Sequence, residues 1–284
     1  MADATRRTIL ASGLLGGAAL AAGPSHAAPH AAASLDLDSP AGRFKAYMLM
    51  RGALDGQVVI GFVSGRYYGI VGSELKPLYG VAGATFSRYR ARADGAYDGV
   101  GYELAFFTDL ETGEALDEFH NPYTGETVSV PVTMLEPADL LIKPSLEIVI
   151  PKAPPGYSGY DRVVSSLVSG PDVWFTEESV ANLSFPGATT AFHYNEVLSI
   201  HATRAELETP GVTHVRALTG YSSVVTWRPW LKMGDRPGHL MGTGAGRYGA
   251  TMDELPANWR AAAAKHRPDI LKDPGALLKG RLEG

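Results

Sequence analysis

From residue 35 to about residue 230, apolar side chains recur mainly at every second position, and helical spacing is scarce. A period of two is the mark of extended chain with one buried face. It is found at residues 44–50, where Phe44, Ala46, Met48 and Met50 alternate with Lys45, Tyr47 and Leu49. Residues 57–63 and 67–71 follow, and Ser64-Gly65-Arg66 between them reads as a hairpin turn. Further strands are expected at 85–91 and 97–109, joined through Asp94-Gly95, and at 128–134, with Val128, Val130, Val132 and Met134 on one side. Residues 140–150 read as an edge or broken strand because of Pro144. After the proline-rich loop 151–156 the pattern resumes at 163–168, 173–177, 190–208 and 213–230. Only Ala257–His266 reads clearly as a helix, opened by Pro256 and closed by Pro268. The last residues, 275–284, are expected to run along the surface or fray. With so few helices to cover parallel strands, the fold class is mainly β: a single large antiparallel, barrel-like domain. Its core spans about 39–259 within a mature chain of 28–284. Such a barrel encloses side chains or a small ligand.

The N-terminus reads as an address. Arg6 and Arg7 precede a weakly apolar stretch, residues 9–22, that is short and glycine-rich for a membrane span. Ser25-His26-Ala27 then supplies small residues ahead of a cleavage point, so residues 1–27 resemble a twin-arginine export signal. The expectation is a periplasmic protein that meets the export machinery transiently and keeps no stable membrane span. The net charge is −5, or −6 without Asp3, Arg6 and Arg7, and there is no basic run, which argues against a nucleic-acid partner. The absence of cysteine excludes disulfides, thiolate nucleophiles and Cys-ligated metals.

Several segments are distinctive. They are Gly65-Arg66-Tyr67-Tyr68-Gly69, Leu78-Tyr79-Gly80, Asp109-Leu110-Glu111-Thr112-Gly113-Glu114 and Asn121-Pro122-Tyr123-Thr124-Gly125-Glu126. The most specific runs from Thr226-Trp227-Arg228-Pro229-Trp230 to Gly238. Together they resemble the domain-of-unknown-function 1838 family, whose members are often exported bacterial proteins. The resemblance spans roughly residues 39 to 259 and implies one domain. It implies no activity, so no catalytic residue is carried over from it.

The residues themselves suggest a chemistry. On the strand expected at 190–208, Phe192, Tyr194, Glu196, Leu198, Ile200 and Ala202 share one face, and that face should point inward. A carboxyl group on a buried face is costly unless it is paired or protonated. Desolvation raises its pKa and suits it to general acid or base work. Glu196 is the candidate proton carrier, and its bland alternative is a structural partner of an internal arginine. Tyr194 is a candidate hydrogen-bond donor to it. Arg228 is a candidate stabiliser of negative charge, flanked by Trp227 and Trp230 as walls for an apolar ligand or as plugs of a barrel end. Asn121 and Tyr123 form a second polar cluster with His120, although Asn121 also reads as the start of an Asx turn. Arg236 and His239 lie in the glycine-rich stretch 234–249, which lacks strand periodicity and reads as a lid.

No His-Glu-x-x-His pair, nucleophile elbow, Rossmann fingerprint or phosphate loop is present, so the expectation is no metal and no cofactor. The leading reading is an exported lyase or isomerase acting by general acid/base chemistry on a small hydrophobic, oxygenated or aromatic molecule. The alternatives are a carrier for small hydrophobic ligands and a metal-dependent hydrolase or oxygenase.

Overall fold

The computed structural model describes residues 35–184 and 191–282; the export signal read at 1–27 and position 190 lie outside them. Among the described residues twelve strands carry the fold: β1 (Val59–Val71), β2 (Glu74–Ala91), β3 (Tyr97–Thr108), β4 (Glu118–His120), β5 (Thr127–Ser129), β6 (Thr133–Ile142), β7 (Glu147–Val149), β8 (Tyr157–Ser169), β9 (Asp172–Leu183), β10 (Phe192–Thr203), β11 (Leu218–Val225) and β12 (His239–Tyr248). Ten of them close an antiparallel barrel in the order β1-β12-β11-β10-β9-β8-β7-β6-β3-β2, and β4 and β5 form a separate small ribbon. The fold is therefore mainly β and barrel-like. Closure follows from the alternation: one face of each long strand is apolar, and curling the sheet buries those faces against one another. No helix among the described residues is long and apolar enough to cross a membrane.

Five local expectations are corrected. Residues 44–50 are not a strand but part of helix α1 (Pro40–Arg51), started by Ser39, whose hydroxyl accepts from the Gly42 N–H. Eight residues of α1 are buried, so no polar face was left to reveal a period of 3.6. Ser64-Gly65-Arg66 is no turn, because β1 runs unbroken through it. Gly65 is there for close approach: a Cβ would lie 2.2 Å from the Thr243 carbonyl oxygen of β12. The turn comes instead at Gly72, with φ +59°. The run 128–134 splits at Pro131 between β5 and β6. The stretch 234–249 is no lid: its second half is β12, which closes the barrel between β1 and β11. Its glycines hid it, and Gly246 shows why they are needed, since a Cβ there would sit 1.7 Å from the Phe62 carbonyl oxygen. Finally, the described part of the tail, residues 275–282, is tied down rather than frayed, for Leu278 is fully buried.

Helices also differ in number. Besides α1 there is a short α2 (Arg204–Leu207), where the strand read through 208 ends in a capping box on Thr203. The expected helix α3 (Ala257–His266) is followed by α4 (Pro268–Lys272). α3 covers the outer face of β2 and β3, burying Trp259 against Phe86 and Phe106, with its indole N–H donating to the Leu104 carbonyl. α1 instead serves the inner face. It sends Tyr47 against Phe175 and Arg51 over the Tyr248 ring, closing one end of the barrel. At the other end Trp230 packs on Tyr79, Phe107 and Phe119.

Candidate functional site

The register brings polar residues together on the inner face. One ladder row runs across seven strands: Asp161 on β8, Ser179 on β9, Glu196 on β10, Ser223 on β11, Gly242 on β12, Tyr67 on β1 and Tyr79 on β2. Each of these residues is buried. Chain segments far apart in sequence thus contribute to one belt between the α1 end and the Trp230 end.

Glu196 is 3% exposed, on the inward face read for it, and that whole face is buried. The Tyr194 hydroxyl donates to its Oε2 at 2.7 Å. Burial drives the Glu196 carboxyl well above the ordinary carboxylate range; the Tyr194 bond opposes this, while Glu103, Glu177 and Asp161 add to it. Burial thus favours the protonated form of Glu196. Tyr194 is itself raised by burial first and by Glu196 second, so it stays a donor.

Arg228 is 6% exposed, but it does not pair with Glu196. Its Nη2 donates to the Tyr67 hydroxyl at 3.1 Å, and the guanidinium lies over the Tyr67 and Phe107 rings at 5.1 and 4.9 Å. The arginine alternative for Glu196 is thus not realised with Arg228. The phenols of Tyr67, Tyr79 and Tyr194 surround the cation.

Three inward acids were not singled out from sequence. Glu103 is 5% exposed, and its carboxyl is pushed up to about 8 by burial, with Arg228 opposing the shift. Glu177 accepts from Tyr47 at 2.6 Å and from Arg51 at 3.1 and 3.3 Å. Asp161 is raised well above its ordinary range by burial and then by Glu177. The alternation argument that found Glu196 applies equally to Glu103, which sits among apolar neighbours in Tyr102-Glu103-Leu104-Ala105-Phe106. Arg51 was hidden by the misread helix.

The remaining candidates are dispersed around the barrel end. Asn121 is buried, but it ties the chain together: its Nδ2 donates to the Leu231 carbonyl at 2.7 Å, and its Oδ1 accepts from the Tyr123 N–H at 2.9 Å. That is an Asx turn clamped to the Pro229–Leu231 helical turn. Tyr123 packs on Trp227 at 5.4 Å and under Lys76 at 5.0 Å, at the rim. Trp227 donates to the Arg236 carbonyl, while the Arg236 side chain is exposed. His239 opens β12 opposite Ile70, on the outer side of the ladder from buried Leu240, and His120 is exposed. Arg236 and His239 therefore do not join Glu196 and Arg228.

A family model described as a protein of unknown function (DUF1838) matches residues 57–280. The chain belongs to the DUF1838 family. The matched stretch includes all twelve strands and both Glu196 and Arg228, so the belt lies wholly within the DUF1838 region. A search of curated proteins finds no match.

Several interior polar atoms have no hydrogen-bond partner among the described residues: Ser223 Oγ, Arg228 Nε, Trp230 Nε1, the Tyr79 and Tyr248 hydroxyls, and Asp161 Oδ1. Buried polar groups are normally satisfied by protein or ordered water. Among the described residues no three His, Asp or Glu side chains converge as a metal site. A shallow hollow of about 400 Å3 lies elsewhere, outside the β2–β3 turn, lined by Arg90, Arg92, Asp94 and Asp98. Those charges already pair with one another.

Proposed function

We propose that this DUF1838 protein is an exported, cofactor-independent lyase or isomerase that moves protons on a small hydrophobic, oxygenated molecule held inside the barrel. The observation that carries the reading is the buried Tyr194–Glu196 pair in one interior with Glu103 and Arg228. Two carboxyl groups whose surroundings shift them to different degrees divide naturally into an acid and a base. Glu196, protonated and with one oxygen engaged by Tyr194, is the acid. Glu103, pushed only to about 8, retains an ionised fraction at neutral pH and is the base.

In an elimination, a substrate C–H bond breaks and its proton passes to Glu103. The neighbouring C–O bond breaks as Glu196 protonates the leaving oxygen, and a double bond forms between the two carbons. Return of the proton from Glu103 to Glu196 resets the pair. In an isomerisation the same two groups remove and replace the proton at different carbons. Arg228 stabilises the negative charge that builds on the substrate oxygen. Trp230 packs against the apolar body of the substrate. Export is supported by Arg6-Arg7 ahead of the apolar stretch 9–22.

The test is incubation of a small-molecule mixture with the wild-type protein and with Glu196→Gln, followed by mass spectrometry. The wild type should deplete one compound and Glu196→Gln should retain it bound without depleting it. The Tm should change by no more than about 3 °C, the shift of roughly 1 kcal/mol in a chain of this size. Depletion by both proteins would remove Glu196 from the chemistry. Binding without depletion by either would make the barrel a carrier.

A further inference from the structure

Among the described residues two arginines are buried in this barrel, and they are served differently. Arg51 is met by Glu177 through two nitrogens, at 3.1 and 3.3 Å, with Tyr47 completing the carboxylate's contacts. Arg228 has no carboxylate within ion-pair distance among the described residues. Its side-chain hydrogen bond goes to the neutral Tyr67 phenol, the neutral Tyr79 phenol lies beside it, and its Nε has no partner among the described residues. The faces of Tyr67 and Phe107 supply only partial compensation. A buried guanidinium without an anion is expensive, and evolution usually supplies the counter-ion within the protein, as it does for Arg51. Glu103 feels the cation but is held towards its neutral form by burial, as is Glu196, and neither makes an ion pair with Arg228.

The geometry points to an organic carboxylate as the ligand, its carboxyl group seated on Arg228 and its apolar, preferably aromatic, body against Trp230, Phe107 and Tyr79. This rests on the proposed reading of the interior as a substrate site and names the substrate class. Guanidinium matches carboxylate in planar, two-point fashion, and the unpartnered Nε–H is one of the donors such a pairing uses. The ring contacts fit the same class: Trp230 lies 5.3 and 5.4 Å from Tyr79 and Phe107, an aromatic corner beside the cation. The Ser223 hydroxyl, also unpartnered, lies in the same ladder row as Tyr67 and offers a further hydrogen bond to a substituent.

The test compares trans-cinnamate with trans-cinnamamide, molecules of the same shape that differ in charge, by calorimetric titration and thermal shift. Cinnamate should bind saturably and raise the Tm, and cinnamamide should bind at least tenfold more weakly. Arg228→Lys should weaken cinnamate binding at least tenfold and Arg228→Met should abolish it, while Glu196→Gln should retain it. A second readout needs no ligand. If Arg228 is an unmatched charge, Arg228→Met should have a Tm at or above that of the wild type, in contrast to Arg51→Met, which should fall well below it. Equal binding of acid and amide, no binding of the acid, or an Arg228→Met protein as destabilised as Arg51→Met would each overturn the inference. These results separate from the failure of the acid/base reading. Arg228-dependent cinnamate binding with unchanged turnover in Glu196→Gln keeps the carboxylate site and rejects the chemistry. Equal binding of acid and amide with an inactive Glu196→Gln does the reverse.

Discussion

Glu103 is an acid that the folded chain prefers neutral. Unfolded, it ionises near 4.5; folded, burial moves that to about 8. Between those values the native state binds a proton that the unfolded state has lost, so stability falls as pH rises. The contribution is fully present below about 4.5 and gone above about 8, with a slope of at most about 1.4 kcal/mol per pH unit. Urea unfolding from about pH 5 to pH 8 should therefore show a steeper loss for wild type than for Glu103→Gln, and parallel curves would contradict the assignment. Glu196 was legible in sequence because it interrupts an otherwise apolar alternate set. What surrounds it was not legible, since Arg228, just after β11, meets Tyr67 of β1 through a strand order that no local pattern encodes.

Elements show the same division. Long strands with one apolar face, β9 and β10 above all, announce themselves through alternation. α3 was readable from its flanking prolines. α1 and β12 were not, for opposite reasons: α1 is buried nearly all round, and β12 is thinned to glycine where neighbouring backbones and rings crowd it. α1 is fastened to the barrel by its last residue, Arg51, which reaches Glu177 on β9. Removing one partner of a buried pair strands the other, so Arg51→Met should cost about 3–5 kcal/mol in urea unfolding. Adding Glu177→Leu should recover much of that loss. A single variant as stable as wild type would mean that α1 is held by packing alone.

On the scale of the whole molecule, the barrel is closed at one end by α1 and at the other by Trp230 with the β4–β5 ribbon, while α3 and α4 cover the outside of β2 and β3. This arrangement keeps water from the interior acids, and low polarity is what turns a carboxylate into a proton donor at neutral pH. Antiparallel architecture followed from strand number and spacing. The polar belt did not, because it exists only once seven strands take their register. The account stands or falls on whether Glu196 carries its proton in the closed barrel, and infrared spectroscopy reads this directly through the carbonyl stretch of a protonated carboxyl group. Wild-type protein at about pH 7 should show such a band, shifted by hydrogen bonding to Tyr194 and missing in Glu196→Gln. An identical protonated-carboxyl spectrum in both proteins would mean that Glu196 is ionised at neutral pH, and the proposed acid would not exist.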